Sequence, residues 1–316
     1  MKNSVGPPSA DLFARAMPWL FVCIWSTGFI VARFGMPHAP PLTFLALRFA
    51  LSVLCFAIWV WFSKAVWPRN RAQFFHLAAV GVLLHAGYLG GVWAAVKAGI
   101  GAGTVALLVG LQPVLTASWM SAFSAGGNHG GNHSSAVSTA PRLQPLHWLG
   151  LTLGVGGLVL VVWRKLGAGE LNALNLSLAV FALLCITAGS LYQKRFVAPC
   201  DVRTASFVQL LAALFISAPL ALFESEAVNW HPQLMAALAW SVLGLSLGGS
   251  SLLYLLLQRG VATQVASLMF LVPPTTALMA WFMFNESLSG LMLLGMVLAV
   301  LGVALVMRPA TVSNAA

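Results

Sequence analysis

Ten stretches of this chain are long and apolar enough, or nearly so, to cross a lipid bilayer as a helix. They run roughly over Pro18–Phe34, Leu42–Phe62, Phe74–Val96, Ala102–Phe123, Leu146–Trp163, Leu176–Gln193, Thr204–Phe223, Leu234–Leu257, Ala262–Phe284 and Gly290–Met307. A spanning helix needs about 20 mainly apolar residues. The runs are continuous rather than alternating, which favours helices over strands, and an α-helix satisfies its own backbone groups where no water is available. Charge agrees with this. Only 7% of the 316 residues are charged and 60% are hydrophobic, whereas a soluble protein carries about 25% charged residues. Lipid is the solvent for most of such a surface, and the predicted fold class is an all-α membrane protein of about ten transmembrane helices.

The net charge of +10 does not point to nucleic acid, because the basic residues do not cluster on a soluble face. They sit at the ends of apolar runs, where they orient a membrane protein. With the N-terminus in the cytoplasm, Lys2, Arg15, Lys64, Arg69, Arg71, Arg142, Lys194, Arg195, Arg203, Arg259 and Arg308 fall inside, and Arg33, Lys97, Arg164 and Lys165 outside. Eleven against four predicts an inner-membrane, multi-pass protein with both termini cytoplasmic. The polar segment 1–17 reads as an N-terminal tail before a retained first span, and 308–316 as a cytoplasmic C-terminal tail. Cys23, Cys55, Cys185 and Cys200 form no CxxC pair and read as small hydrophobes. No cofactor is implied. The loop 124–145, with GGNHGGNH at Gly126–His133, reads as a flexible linker. A metal tract built on His129 and His133 is the weaker alternative, since such loops are rarely preorganised.

The chain repeats itself. LGLTLGVGGLVLV (Leu149–Val161) matches LGMVLAVLGVALV (Leu294–Val306) at seven of thirteen positions. VALLVGLQP (Val105–Pro113) aligns with VASLMFLVP (Val265–Pro273), and Cys23-Ile24 with Arg33-Phe34 recur at the same spacing as Cys185-Ile186 with Arg195-Phe196. Three matches in one order predict two five-helix repeats, 18–163 and 176–307. Five is odd, so the second repeat is expected to be inverted in the membrane, an arrangement typical of carriers with a site at the repeat interface.

Polar and aromatic residues near mid-depth are the natural lining of such a site, because a lipid-facing position would penalise them. The candidates are Trp25, Ser26 and Thr27 from span one, His85 and Tyr88 from span three, Gln112 from span four, Tyr192 from span six, Tyr254 from span eight and Thr275 from span nine. Trp93 and Tyr254 are candidate gates at opposite ends. Pro113, Pro273 and Pro274 are expected to free the carbonyls of Val109, Met269 and Phe270 and to act as hinges or cavity lining. For each of these the competing reading is helix packing alone. Arg48 and Glu286 read as structural charges, with Arg48 either snorkelling outward or pairing with an outer acid such as Glu286. No acid lies near the membrane centre, and there is no clustered carboxylate pair, GxSxG or P-loop to suggest catalysis.

Several of these segments resemble the drug/metabolite transporter superfamily, EamA type: WSTGF (Trp25–Phe29), LRF (Leu47–Phe49), LQPVLTA (Leu111–Ala117) and the ending Val272–Val306. The likeness runs from about Met17 to Arg308. It implies inverted-repeat carriers with a central cavity, among them exporters of amino acids and related metabolites. The first repeat departs from the pattern in lacking a counterpart of Glu286. The expected function is secondary transport of a small metabolite, most simply export of amino acids or related compounds. The alternatives are a multidrug-type exporter, a non-transporting membrane scaffold and a lipid-modifying membrane enzyme. The expected partners are a small-molecule substrate and the bilayer, with a homodimer left open.

Overall fold

A computed structural model of the chain describes residues 8–116, 119, 145–167, 169–258 and 269–306, and all regular structure among them is helical. Helix α1 (Pro8–Gly35) starts well before the expected span and runs through Pro18, so that proline's missing donor does not end it. It is followed by α2 (Pro41–Ser63) and by α3 (Arg71–Gly81), which continues through a π-helical segment, Val82–Gly87, into α4 (Tyr88–Lys97). Next come α5 (Ala102–Val109), α6 (Pro145–Gly167), α7 (Ala173–Phe196) and α8 (Val202–Ala221). Helix α9 (Pro232–Trp240) runs through a second π-helical segment, Ser241–Gly249, into α10 (Ser250–Gln258). A 3-10 turn, Met269–Leu271, opens α11 (Val272–Phe284), and α12 (Gly290–Val306) ends the described chain. Six of these segments are long and apolar enough to cross a membrane, and Ala102–Thr116, Trp148–Trp163 and Gly290–Gly302 are shorter apolar helices.

The helix starts follow local chemistry. Asn70 accepts from Ala72 N–H, Asn172 and Asn175 cap each other's backbone, and His231 Nδ1 accepts from Gln233 N–H. Each supplies an acceptor for a donor that the first turn leaves unused. Asp201 caps α8, and the Arg203 guanidinium bonded to both its oxygens holds its carboxyl below the usual carboxylate range.

The bundle has two chemically distinct ends. At one, Glu170, Glu224, Glu226 and Glu286 gather with Lys97 and Lys165; Lys97 bonds Glu226 at 2.6 Å and the Met36 carbonyl at 2.8 Å, and Lys165 pairs with Glu170. At the other, Gln73 exchanges hydrogen bonds with Ala198, His76 meets Tyr192, and Thr204 donates to the Val66 carbonyl. Large apolar side chains such as Phe62 and Phe282, 81% and 82% exposed, cover the perimeter, the pattern lipid rather than water stabilises. Inside, α2 packs on α8, α5 on α11, α6 on α12, α4 on α7 and α1 on both α9 and α11. Glycines set the closest approaches. On α6 and α12, Gly157 and Gly295 meet backbone to backbone, as do Gly302 and Gly150, which lets helices associate where lipid removes the hydrophobic drive between them.

Candidate substrate-binding site

Two of the apolar runs read as spans depart from regular α-helix well inside their length. Helix α5 stops at Val109; Leu111 N–H bonds Leu108 three residues back, and the helix resumes over residues 112–116. On the other side, the 3-10 turn Met269–Leu271 precedes α11, with Pro273 and Pro274 in its first turn. The prolines therefore do not strip hydrogen bonds from mid-helix, as expected from their positions in long spans. Pro273 and Pro274 start a new helical segment, where their missing donors are unused anyway, and Pro113 stands just past the break in α5. The two breaks touch: a Cβ on Gly110 would lie 2.6 Å from Pro273 Cγ.

Helix α1 closes over this crossing. Ser26 is fully buried; its hydroxyl donates to the Val22 carbonyl at 2.8 Å and reaches the Val272 carbonyl at 3.5 Å, while Thr276 donates to the Ser26 carbonyl. Thr27 donates to Ile24 and accepts from Trp240 Nε1 at 2.8 Å. Trp25 packs on Phe21 and faces Gly249 of the second π-helical segment. Gln112 and Thr275 are half-buried beside the breaks.

A second group surrounds the first π-helical segment. A π-helical turn carries an extra residue and shifts the backbone bonding by one position, and such turns are frequent at functional sites. His85 sits on it, 3.4 Å from Gln209 Oε1 of α8 and edge-on to Phe49 of α2. Arg48 and Tyr88, 8% and 9% exposed, stand on the adjoining elements, Arg48 beside Phe49 on α2 and Tyr88 directly after the π-helical segment on α4, which packs on α2. The Arg48 Nε and the Ser52 hydroxyl, one turn apart on α2, are buried without a hydrogen-bond partner. In the second π-helical segment, Ser246 donates to the Ser241 carbonyl five residues back.

Other candidates lie elsewhere. Trp93 is 1% exposed and stacked on Phe44 at 4.3 Å, within the core. Tyr192 is near the basic end of α7, bonded to His76 at 2.9 Å and packed on Phe196. The Tyr254 side chain and the Gly126–His133 loop lie outside the described residues. The expected Arg48–Glu286 pair does not form. Glu286 accepts from Ala102 N–H at 2.8 Å and Gly103 N–H at 3.2 Å, and Glu170 from Gly101 N–H and Thr104. Both carboxylates thus sit on the N-terminus of α5, where unused backbone donors and the helix dipole favour a negative charge. Glu286→Ala is expected to lower stability by about 1–2 kcal/mol, with Glu286→Gln recovering part of it. Thermal unfolding in detergent measures both, and parental midpoints for the two variants would show that the cap contributes nothing.

Sequence reading did not single out Gln209, Ser52 or the two π-helical segments. The available signal was positional: GVLLHAG (Gly81–Gly87) and GLSLGG (Gly244–Gly249) occupy corresponding spans of the two halves.

The sequence pattern of the EamA-like transporter family matches residues 16–125 and again 174–308. The chain belongs to the EamA-like transporter family. Among relatives of this EamA-family protein, a probable amino-acid metabolite efflux pump of Salmonella typhimurium is 24% identical, over 90% of this chain and 91% of that one. The Escherichia coli protein of the same description is 22% identical, over the same shares. The uncharacterized inner membrane transporter YedA of E. coli is 25% identical, over 90% and 87%. A crystal structure superposes with a TM-score of 0.60 over 92% of this chain and 94% of that one, at 18% identity, and shows a common fold. Family, relatives and apolar helices together support a multi-pass inner membrane transporter rather than an enzyme.

Proposed function

We propose that this EamA-family protein exports a small metabolite, an amino acid or a related compound, from the cytoplasm, through a site where its two halves meet. The reading rests on one observation. Each family-matched half contributes one irregular turn beside prolines, at Gly110–Leu111 and at Met269–Leu271, and one π-helical segment, all four within apolar runs read as spans and near buried polar side chains such as Ser26 and Ser246. Breaks and irregular turns at membrane depth persist where they face protein or a water-filled cavity rather than lipid. The efflux-pump relatives supply the substrate class and the direction.

The architecture we infer is ten spans in two inverted five-helix repeats. The packing supports it: α2 pairs with its counterpart α8, α5 with α11 and α6 with α12, and the first π-helical segment packs on α8 as the second does on α2. The basic end is cytoplasmic in this reading. Reporter fusions after Ala125 and at the C-terminus test it, and periplasmic activity at either place would sink the inverted arrangement.

Function is tested by efflux from liposomes holding the purified protein, over an amino-acid and metabolite panel. Trp25→Ala, His85→Ala and Gln112→Ala are expected to fold normally yet lose flux or change selectivity. If all three folded variants keep the parental rate and selectivity, the site lies elsewhere.

A further inference from the structure

Among the described residues, Arg48, on a helix read as a span, has no counter-ion. It lies seven residues into α2 from Pro41, about 10 Å along the axis from the acidic end, and is 8% exposed. Its Nε has no hydrogen-bond partner, and no ion pair joins it to an acid among the described residues. The acids within reach of the same end are all engaged. Glu170 pairs with Lys165 and caps α5; Glu286 caps α5; Glu226 holds Lys97; and Glu224 accepts from Leu42 N–H, Thr43 N–H and the Thr43 hydroxyl at the start of α2. Asp201 is bonded to Arg203 at the opposite end.

A guanidinium cannot shed its charge in a protein, and a buried charge without a partner is strongly unfavourable. Snorkelling would relieve this by carrying the charged head to the interface. Arg48 is instead buried, next to the Phe49 ring that meets His85 edge-on. Ser52, one turn deeper on the same helix, leaves its hydroxyl unpartnered as well. Two adjacent unused polar groups at membrane depth, with every nearby acid committed elsewhere, describe half of an interaction.

We infer that the missing half is the carboxylate of the transported molecule, held by the Arg48 guanidinium with Ser52 and Tyr88 beside it. The planar fork of arginine matches a carboxylate with two parallel hydrogen bonds. One cation matches one negative charge, which selects a monocarboxylate over a doubly charged phosphate. The same charge repels organic cations, so the site disfavours a cationic drug as cargo. This inference rests on the transporter reading above for the word transported, and on Arg48 alone for the word carboxylate.

The test separates the two. Full-length protein is purified and reconstituted, and efflux of the standard L-amino acids is compared with that of their carboxamides, which keep the shape and lose the charge. Thermal unfolding of the detergent-solubilised protein with each compound gives a binding readout, because a ligand of the folded state raises the midpoint. The parental protein is expected to prefer at least one acid to its amide. Arg48→Gln should lower that acid-to-amide ratio by about 10- to 100-fold, the range for losing a charged hydrogen-bonded pair. A folded Arg48→Gln with the parental ratio overturns the inference, and so does a parental protein that treats acids and amides alike. Should Arg48→Gln fail to fold, Arg48→Lys decides, since it keeps the charge and loses the fork: a lowered ratio supports the assignment and an unchanged one overturns it. If the parental protein moves nothing yet acids and not amides raise its midpoint, the transport reading falls and the Arg48 site stands. If nothing moves and no acid raises the midpoint, both fall.

Discussion

Gly295→Leu is expected to cost about 3 kcal/mol or more of stability, at the upper end for forcing volume into a closed interface. A Cβ at Gly295 would lie 2.6 Å from the Gly157 carbonyl oxygen and 2.7 Å from Val161 Cγ2. The first of these is backbone and cannot rotate away, so α6 and α12 would have to separate along their whole contact. That pair closes one side of the bundle, and among the described residues it is the main contact of α12. Gly295→Ala should show the same effect in smaller measure. Gly156→Leu is the control: it lies on the facing helix α6, next to Gly157, but no atom comes within 4 Å of its Cβ. The readouts are the yield of monodisperse protein and the thermal midpoint in detergent. Equal midpoints for Gly295→Leu and Gly156→Leu would remove the argument that backbone contact holds this pair.

Gly110→Ala is expected to act on transport more than on folding. Gly110 has an ordinary helical backbone, with φ −59°, so alanine meets no conformational penalty there. The obstacle is space, since its Cβ would stand 2.6 Å from the ring of Pro273 on the opposing broken helix. Pushing the two breaks apart costs about 1–3 kcal/mol. As a bias between two arrangements of the same helices, that is roughly 5- to 150-fold in their ratio. Efflux should fall by a similar factor while the protein still folds and inserts. Pro273→Ala in the same chain removes the obstructing ring and should recover part of the flux, a coupling that two independent sites would lack. If Gly110→Ala transports at the parental rate, or if Pro273→Ala does not relieve it, the crossing of the breaks does not carry the conformational change.

Much of this protein is written locally in its sequence. Hydropathy is a sum over neighbouring residues, so the runs that become α2, α7 and α8 are visible without knowing what they touch. Polar residues inside apolar runs are visible for the same reason. Ser26, His85 and Tyr88 stood out by being out of place in lipid, and the structure buries Ser26 and Tyr88 and partly buries His85. Proline chemistry is local too, and Pro113 and Pro273 stand just after the irregular turns at Gly110–Leu111 and Met269–Leu271. Whether a proline strips bonds from a continuous helix or opens a new segment depends on whether the neighbouring span lets the chain break, and Gly110 facing Pro273 supplies that room.

Partnership lies beyond local reading. Glu286 and Arg48 are one acid and one base expected on the same side of the membrane, and from sequence their pairing was one of two readings, with snorkelling of Arg48 the other. The folded chain carries Glu286 to the open N-terminus of α5 and leaves Arg48 buried without an ion pair among the described residues. Likewise Gln209 is an ordinary polar residue of α8 until the π-helical segment brings His85 against it. Side-chain character determined that the chain would enter lipid, where it would span and which residues would be costly there. Only the tertiary structure decided which of those costs are met by another residue and which, at Arg48 and Ser52, are left open, because that depends on which helices become neighbours.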